Sequence, residues 1–213
     1  MRKIHYFAEG ICNEFLDNWK SMCPDYEIIL WNKDNIPISE YPFLNLLIEK
    51  KKWSVVSDFI RHWAVYEFGG IYMDIDVELI KPLDSLLDVK AFTCIEGEPI
   101  YANSAVSGGH KGSAFQKRCL DKFCSIDFEG ILSGKVYIPT QIEFYVSPGM
   151  VSEVVASAKG KALDSSDLFH MKHYEDFVTL PKEYFYPYNW NEVFTQDCIT
   201  ENTIGIHRWH KSW

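Results

Sequence analysis

Residues 69–77 read Gly-Gly-Ile-Tyr-Met-Asp-Ile-Asp-Val, a helix-breaking glycine pair running into an apolar stretch that holds two aspartates. Aspartate is a poor strand former and is seldom buried alone. Taken as one extended strand, the stretch alternates faces: Ile71, Met73, Ile75 and Val77 share one side, and Tyr72, Asp74 and Asp76 the other. The two acids then stand roughly 7 Å apart. Anions held in this way repel each other and lose hydration unless a cation lies beside them. A divalent metal that carries a phosphate is one such cation.

The residues before the motif point to a helix. Trp53, Val56, Ile60, Trp63 and Phe68 recur at helical rather than alternating spacing over residues 51–68, and Gly69 and Gly70 end that helix as a left-handed cap would. Further strands are expected at 4–7, 26–31, 91–95, 102–107 and 203–207. Helices are expected at 13–22, 43–50, 113–124 and, following Pro148 and Gly149, through Ala158. Gly108, Gly109, Lys111 and Gly112 read as a tight loop before a helix capped by Ser113. Alternating helices and strands imply a mixed central sheet flanked by helices. With 213 residues, 47% hydrophobic and 24% charged, residues 1–213 are expected to form one α/β domain.

A net charge of −9 argues against a nucleic-acid partner, since a phosphate backbone rewards clustered Lys and Arg. A nucleotide can still bind through a metal. The N-terminal residues hold no apolar run of signal-peptide length, and no segment is long enough to span a membrane. The six cysteines show no C-x-x-C pair and read as buried thiols. The expectation from these features is a protein of the reducing cytoplasm.

Asp58 and Arg61 stand three apart on the helix before the motif, on its polar side with Ser54, Ser57 and His62. Spacing alone is served equally well by a surface ion pair. Their position gives the other reading, in which a permanently charged, planar guanidinium reaches a diphosphate or a sugar hydroxyl. Two carboxylates suit Mg²⁺ or Mn²⁺, which accept phosphate oxygens to complete their shell, so the implied partner is a nucleotide diphosphate. His207 becomes a third metal ligand if the final strand returns beside the acids, with His210 as its competitor. His5, His62, His110, His170 and His173 are expected to be structural. The aromatic run at 184–190 is read as packing, with stacking on a sugar or base as the alternative.

Ser57, Asp58, Phe59, Ile60 and Arg61, followed by residues 69–76, resemble the DXD-containing sugar-nucleotide glycosyltransferases of the Och1-like and capsular-polysaccharide type. They are also similar to the catalytic domain of the clostridial glucosylating toxins. The resemblance extends to residues 4–6, 23–28 and 31–32, to Pro82 and Leu83, and to residues 206–209 with Ser212 and Trp213. It implies a GT-A, Rossmann-like nucleotide-sugar-binding fold and a retaining, metal-dependent hexosyl transfer. Galactose or glucose from UDP is the implied donor, with GDP-mannose as the alternative.

By the same resemblance Asp76 is the principal metal ligand and Asp74 shares that role or touches ribose or donor sugar. Asp58 and Arg61 hold the hexose and its phosphate, Tyr6 and Phe7 line the nucleotide pocket, and Asn103 faces donor sugar and acceptor. His207 completes the metal shell. Residues 203–213 form a last strand and a lid, in which Ser212 and Trp213 close over the diphosphate. The implied acceptor is a glycan or lipid-linked oligosaccharide of bacterial surface polysaccharide or capsule synthesis, made at the inner face of the cell membrane with peripheral membrane association.

Same-face attack needs no protein nucleophile, whereas double displacement would require Asp58 or Glu96 to act as one. Residues 71–77 also resemble the nucleophile strand of haloacid-dehalogenase-type phosphatases, in which Asp74 would attack phosphorus. A non-catalytic sugar-binding relative is the third reading.

Overall fold

The apolar periodicity closes into a two-layered core around one mixed sheet. The structure is a computed structural model that describes residues 2–97 and 99–210, so Ser212 and Trp213, the expected lid residues, lie outside the described residues. Strand β1 (Lys3–Phe7) leads to helix α1 (Leu16–Met22), β2 (Glu27–Trp31), α2 (Phe43–Glu49) and the long α3 (Trp53–Phe68). Then come β3 (Gly70–Met73), β4 (Val77–Leu79), β5 (Ala91–Glu96), β6 (Tyr101–Gly109) and α4 (Ala114–Cys124). The rest comprises α5 (Phe128–Leu132), the single turn α6 (Ile142–Phe144), α7 (Met150–Lys159), α8 (Ser165–Phe169), β7 (Lys172–His173), β8 (Val178–Leu180) and β9 (Gly205–His207).

Seven strands pair in the order β2-β1-β3-β6-β5-β8-β7, and β4 pairs with β9 in a separate two-stranded ribbon. β1 runs parallel to β2 and β3, while β6 is antiparallel to both β3 and β5. The fold is therefore the expected mixed α/β sheet flanked by helices. One core layer buries Val56, Phe59, Ile60 and Ala64 of α3 with Tyr72, Phe115 and Phe123. The other buries Ile71, Met73, Val77 and Leu79 with Trp19 of α1 and Phe185 and Tyr186 of the later loop. Alternation along β3 thus sends successive side chains into opposite layers. Among the described residues no helix is long and apolar enough to cross a membrane.

Three expectations need correction. The motif is not one strand: residues 74–76 form a turn between β3 and β4, so the face-sharing argument and the 7 Å spacing do not apply. Gly108 and Gly109 belong to β6 rather than to a loop, because they pair with β3 on one side and β5 on the other; a Cβ on Gly108 would come within 2.5 Å of the Phe92 ring. The cysteines are all free, but Cys12 and Cys124 are exposed and only Cys23, Cys94 and Cys119 are buried. Ser113 does cap α4, accepting from the backbone N–H of Gln116.

Candidate active site at the DXD corner

The chain turns sharply after Met73 because the sheet pairing ends there. Asp74 N–H donates to the Ala105 carbonyl at 2.8 Å, and Val77 N–H then donates to the Asp74 carbonyl at 3.2 Å, closing the turn. Both carboxylates are thereby placed just past the C-terminal end of β3, an interior strand of the sheet, where the chain passes to the β4–β9 ribbon.

Helix α3 supplies the counter-charge. Ser57, Asp58, Arg61 and His62 are all buried, so the polar stripe of this helix faces inward and the surface ion-pair reading is excluded. Arg61 Nε and Nη2 donate to the two oxygens of Asp74 at 3.2 and 2.6 Å, a bidentate grip. Arg61 Nη1 lies 2.9 Å from Asp58 Oδ1 and donates to Ser147 Oγ at 3.2 Å. The guanidinium sits 5.9 Å from the centre of the Tyr72 ring, whose hydroxyl shares a 2.7 Å hydrogen bond with Ser57. Sequence reasoning missed Ser147, which comes from a segment more than eighty residues away and carries no local signal.

Burial raises the Asp58 carboxyl to about 7 in spite of Arg61 beside it, and raises Asp74 and Asp76 for the same reason. The carboxylates in turn hold the Arg61 guanidinium firmly in its charged form, against the pull of its own burial. Two of these acids, Asp58 and Asp74, thus pair with one permanent cation.

The end of the described chain completes the corner. β9 pairs antiparallel to β4 with Val77 opposite His207, which brings His207 Nε2 to 3.3 Å from Asp76 Oδ1. Two backbone N–H groups clamp Asp76: Arg208 donates to its carbonyl and His210 to its Oδ2, each at 2.8 Å. Between them Trp209 takes a left-handed φ of 58°, held by its indole N–H to the Tyr188 carbonyl and by its ring 4.4 Å from that of His207. The competing histidine, His210, directs its side chain to Glu14 at 2.6 Å. His5 and His62 are structural as expected: His5 Nε2 bonds the Gly69 carbonyl and His62 Nδ1 bonds Gln116.

Asp74, Asp76 and His207 offer ligand atoms that all lie within 4.8 Å of one another. Burial pushes the His207 imidazole down to about 4, so at neutral pH it is uncharged and presents a lone pair. Two desolvated carboxylates and a neutral imidazole, outweighing the one guanidinium, form a donor set suited to a divalent cation. Asp76 carries most of that capacity, because both oxygens of Asp74 are already gripped by Arg61.

Two clefts open on either side of β3 in the strand order. One, of about 300 Å³, opens at the ends of β1 and β2 and is lined by Tyr6, Glu9, Asn13 and Asp34. Phe7 does not line it; its side chain is buried in the core with Trp31 and Phe59. The other, of about 390 Å³, opens beyond β6 and is lined by Asn103, Glu96, Trp190 and Trp209 among others. Asn103 donates to Glu96 at 2.7 Å and accepts from Ala105 N–H at 2.8 Å. Within the 184–190 run Phe185, Tyr186 and Tyr188 are core residues, and Trp190 stands 62% exposed at the rim.

Fold and corner together define a GT-A scaffold with a DXD site. The family described as "glycosyltransferase sugar-binding region containing DXD motif" matches residues 11–93, which bears out the resemblance read from the motif. The chain is 29% identical over 114 residues to inositol phosphoceramide mannosyltransferase 3 of Schizosaccharomyces pombe, covering 48% of this chain and 32% of that protein. It is 36% identical over 73 residues to mannosyl phosphorylinositol ceramide synthase CSH1 of Saccharomyces cerevisiae, covering 32% of this chain and 19% of that one. The chain thus spans about a third or less of the curated relatives it matches. Among solved structures, PaToxG glycosyltransferase superposes with a TM-score of 0.56 at 12% identity, over 73% of this chain and 69% of that chain, a likeness of fold. Asp74, which the phosphatase reading would have attack phosphorus, is held at both oxygens by Arg61.

Proposed function

We propose that this chain is a metal-dependent, retaining hexosyltransferase that moves a sugar from a nucleotide diphosphate to a sugar hydroxyl. The observation that carries the reading is the convergence of Asp74, Asp76 and His207 within 4.8 Å, beside a buried Arg61. A divalent ion held there by Asp76 and His207, with Asp74 sharing, would supply Lewis-acid neutralisation of the leaving diphosphate. Arg61 fixes both Asp58 and Asp74 and adds a permanent positive charge where negative charge grows. Asp74 and Asp58, so oriented, are placed to accept hydrogen bonds from ribose or donor-sugar hydroxyls. The buried surroundings exclude water and strengthen each of these interactions.

Among the described residues, Glu96 is the carboxylate that lines the adjoining cleft, and it already accepts from Asn103. Same-face attack, with the leaving phosphate oxygen taking the acceptor proton, is therefore favoured over double displacement.

The relatives named above transfer mannose by name, which makes a mannosyl donor the first to test, alongside the UDP-hexoses that the motif resemblance suggests. The cleft beside Tyr6 would take the base. A role in surface-polysaccharide synthesis at the cytoplasmic face of a membrane belongs to the same proposal. Nucleotide release from UDP-glucose, UDP-galactose and GDP-mannose, measured with Mn²⁺, Mg²⁺ or EDTA, tests the reading. Metal-dependent release from one donor is expected, together with its loss in Asp76→Asn while circular dichroism stays unchanged. Near-normal turnover in that variant, or release unaffected by EDTA, overturns the metal assignment. A folded protein silent on every donor favours the non-catalytic sugar-binding reading.

A further inference from the structure

We infer that the cleft beyond β6 seats an uncharged sugar ring of the acceptor, stacked on Trp190 with Glu96 receiving one of its hydroxyls. The inference rests on the proposed transfer for the word acceptor, but the site itself stands on its own geometry. At about 390 Å³ the cleft lies within the range of small-ligand sites, about 300–1,000 Å³.

Its walls are shared with the DXD corner. Pro148 follows Ser147, which accepts from Arg61; Trp209 packs on His207; and Asn103 accepts from Ala105, whose carbonyl holds Asp74 N–H. Strand order sets out the subsites across the sheet. Tyr6 on β1 comes first, the acids after β3 next, then Asn103 on β6 and Glu96 on β5. A base, its diphosphate and the sugars to be joined follow the same sequence. The inner part beside Arg61 belongs to the donor hexose, which leaves the aromatic outer part for the acceptor.

The lining decides the chemistry. Tyr101, Phe144, Trp190 and Trp209 present aromatic faces, the surfaces that pack against the C–H face of a pyranose. No lysine, arginine or histidine is among the described lining residues, and the one carboxyl is Glu96. Burial raises that carboxyl to about 7, so at neutral pH it can accept or donate a hydrogen bond and would oppose an anion once ionised. A phosphate-bearing headgroup would meet no counter-ion among the described lining residues, and Arg61 behind them is already engaged by Asp58 and Asp74, so its lost hydration would go uncompensated. The wall is held close, because a Cβ on Gly97 would lie 1.4 Å from Asn189 Oδ1, so residues 97 and 189 interlock next to Trp190. This chain therefore selects a neutral glycoside over an acceptor with a phosphoinositol headgroup.

Saturation-transfer NMR on the full chain, without donor or metal, tests this directly. The probes are the methyl glycosides of glucose, galactose and mannose, with glycerophosphoinositol as the anionic comparator. At least one neutral glycoside should give a signal that Trp190→Ala weakens by roughly tenfold in affinity. Because Trp190 is mostly exposed, that variant should keep its fold, checked by circular dichroism. Asp76→Asn, which removes turnover under the proposed function, should leave the glycoside signal in place. No binding of any neutral glycoside, binding untouched by Trp190→Ala, or preference for glycerophosphoinositol overturns the inference. Donor turnover is read separately, so loss of the transfer reading and loss of this site are told apart.

Discussion

Arg61 organises the corner through its own geometry rather than through a single partner. Its fork grips Asp74 at two oxygens, and its remaining Nη1 reaches Asp58 and Ser147. A lysine could not reproduce that arrangement, since it offers one point charge in place of a planar set of donors. Removing the guanidinium altogether leaves two buried carboxylates without their cation, a change that typically costs about 3–5 kcal/mol. Arg61→Ala is therefore expected to unfold at markedly lower urea concentration than the parent. The sign of its pH dependence follows from Asp58, already raised to about 7 with Arg61 present. A carboxyl raised in the folded state binds more protons there than in the unfolded chain, so its effect on stability worsens as pH rises and eases as pH falls. Without Arg61 the folded value rises further. The variant's deficit should thus be larger at pH 8 than at pH 5.5, and urea unfolding at the two pH values with a constant deficit would refute the assigned ion pairs. The Asp58–Arg61 spacing was legible in the sequence, but its burial was not. A stripe of Ser57, Asp58, Arg61 and His62 looks like a solvent face until the partner at Asp74, the ring of Tyr72 and the side chain of Gln116 are known.

At the scale of elements, the helix-to-strand transition at 69–70 sets where the corner falls. Gly69 closes α3 at a φ of 65°, its N–H on the Val65 carbonyl, and Gly70 continues at a φ of 116°. This part of the motif was readable because only glycine enters such backbone conformations freely. The break after Met73 was not, since residues 71–77 satisfy an alternating pattern whether or not the pairing partner changes. β3 pairs with β6 and β4 with β9, and these are long-range choices that a local pattern does not encode. The same holds for Asn103 and Glu96, which meet only because β5 and β6 pair. Gly70 gives the element-scale test. An added Cβ would sit 2.8 Å from both Lys3 Cβ and the Lys3 carbonyl oxygen, on the strand that carries Tyr6. Gly70→Ala combines a φ foreign to alanine with backbone overpacking and is expected to cost about 1–3 kcal/mol. A thermal melt of the variant would measure it, and Gly160→Ala, with nothing within 4 Å, should cost less because it meets only the conformational penalty.

Across the whole molecule, the corner joins parts of the chain that have no other reason to meet. Asp74 and Asp76 follow the third strand, Arg61 lies on the helix before it, and His207 arrives from the last strand more than a hundred residues later. The return is enforced by main-chain contacts, with Ile80 and Lys81 N–H both on the Ile204 carbonyl and Arg208 N–H on that of Asp76. A divalent cation bound there would tie the seven-stranded sheet to the two-stranded ribbon and would bind the folded chain alone. Ligands of that kind stabilise by mass action, by about 2.7 kcal/mol at a hundredfold excess over the dissociation constant. Adding Mn²⁺ to chelator-treated protein should therefore raise its melting temperature in a concentration-dependent way, and EDTA should reverse the gain. His207→Ala should shift the midpoint of that titration to higher metal, whereas Asp76→Asn should abolish the response. These outcomes rank the ligands independently of turnover. A response that survives Asp76→Asn unchanged would move the metal to the chain's other acidic surfaces, for a net charge of −9 offers many weak cation sites. Loss in Asp76→Asn together with retention in Glu14→Gln would tie the stabilisation to the corner itself, since Glu14 pairs with His210 at its edge without offering a ligand to it.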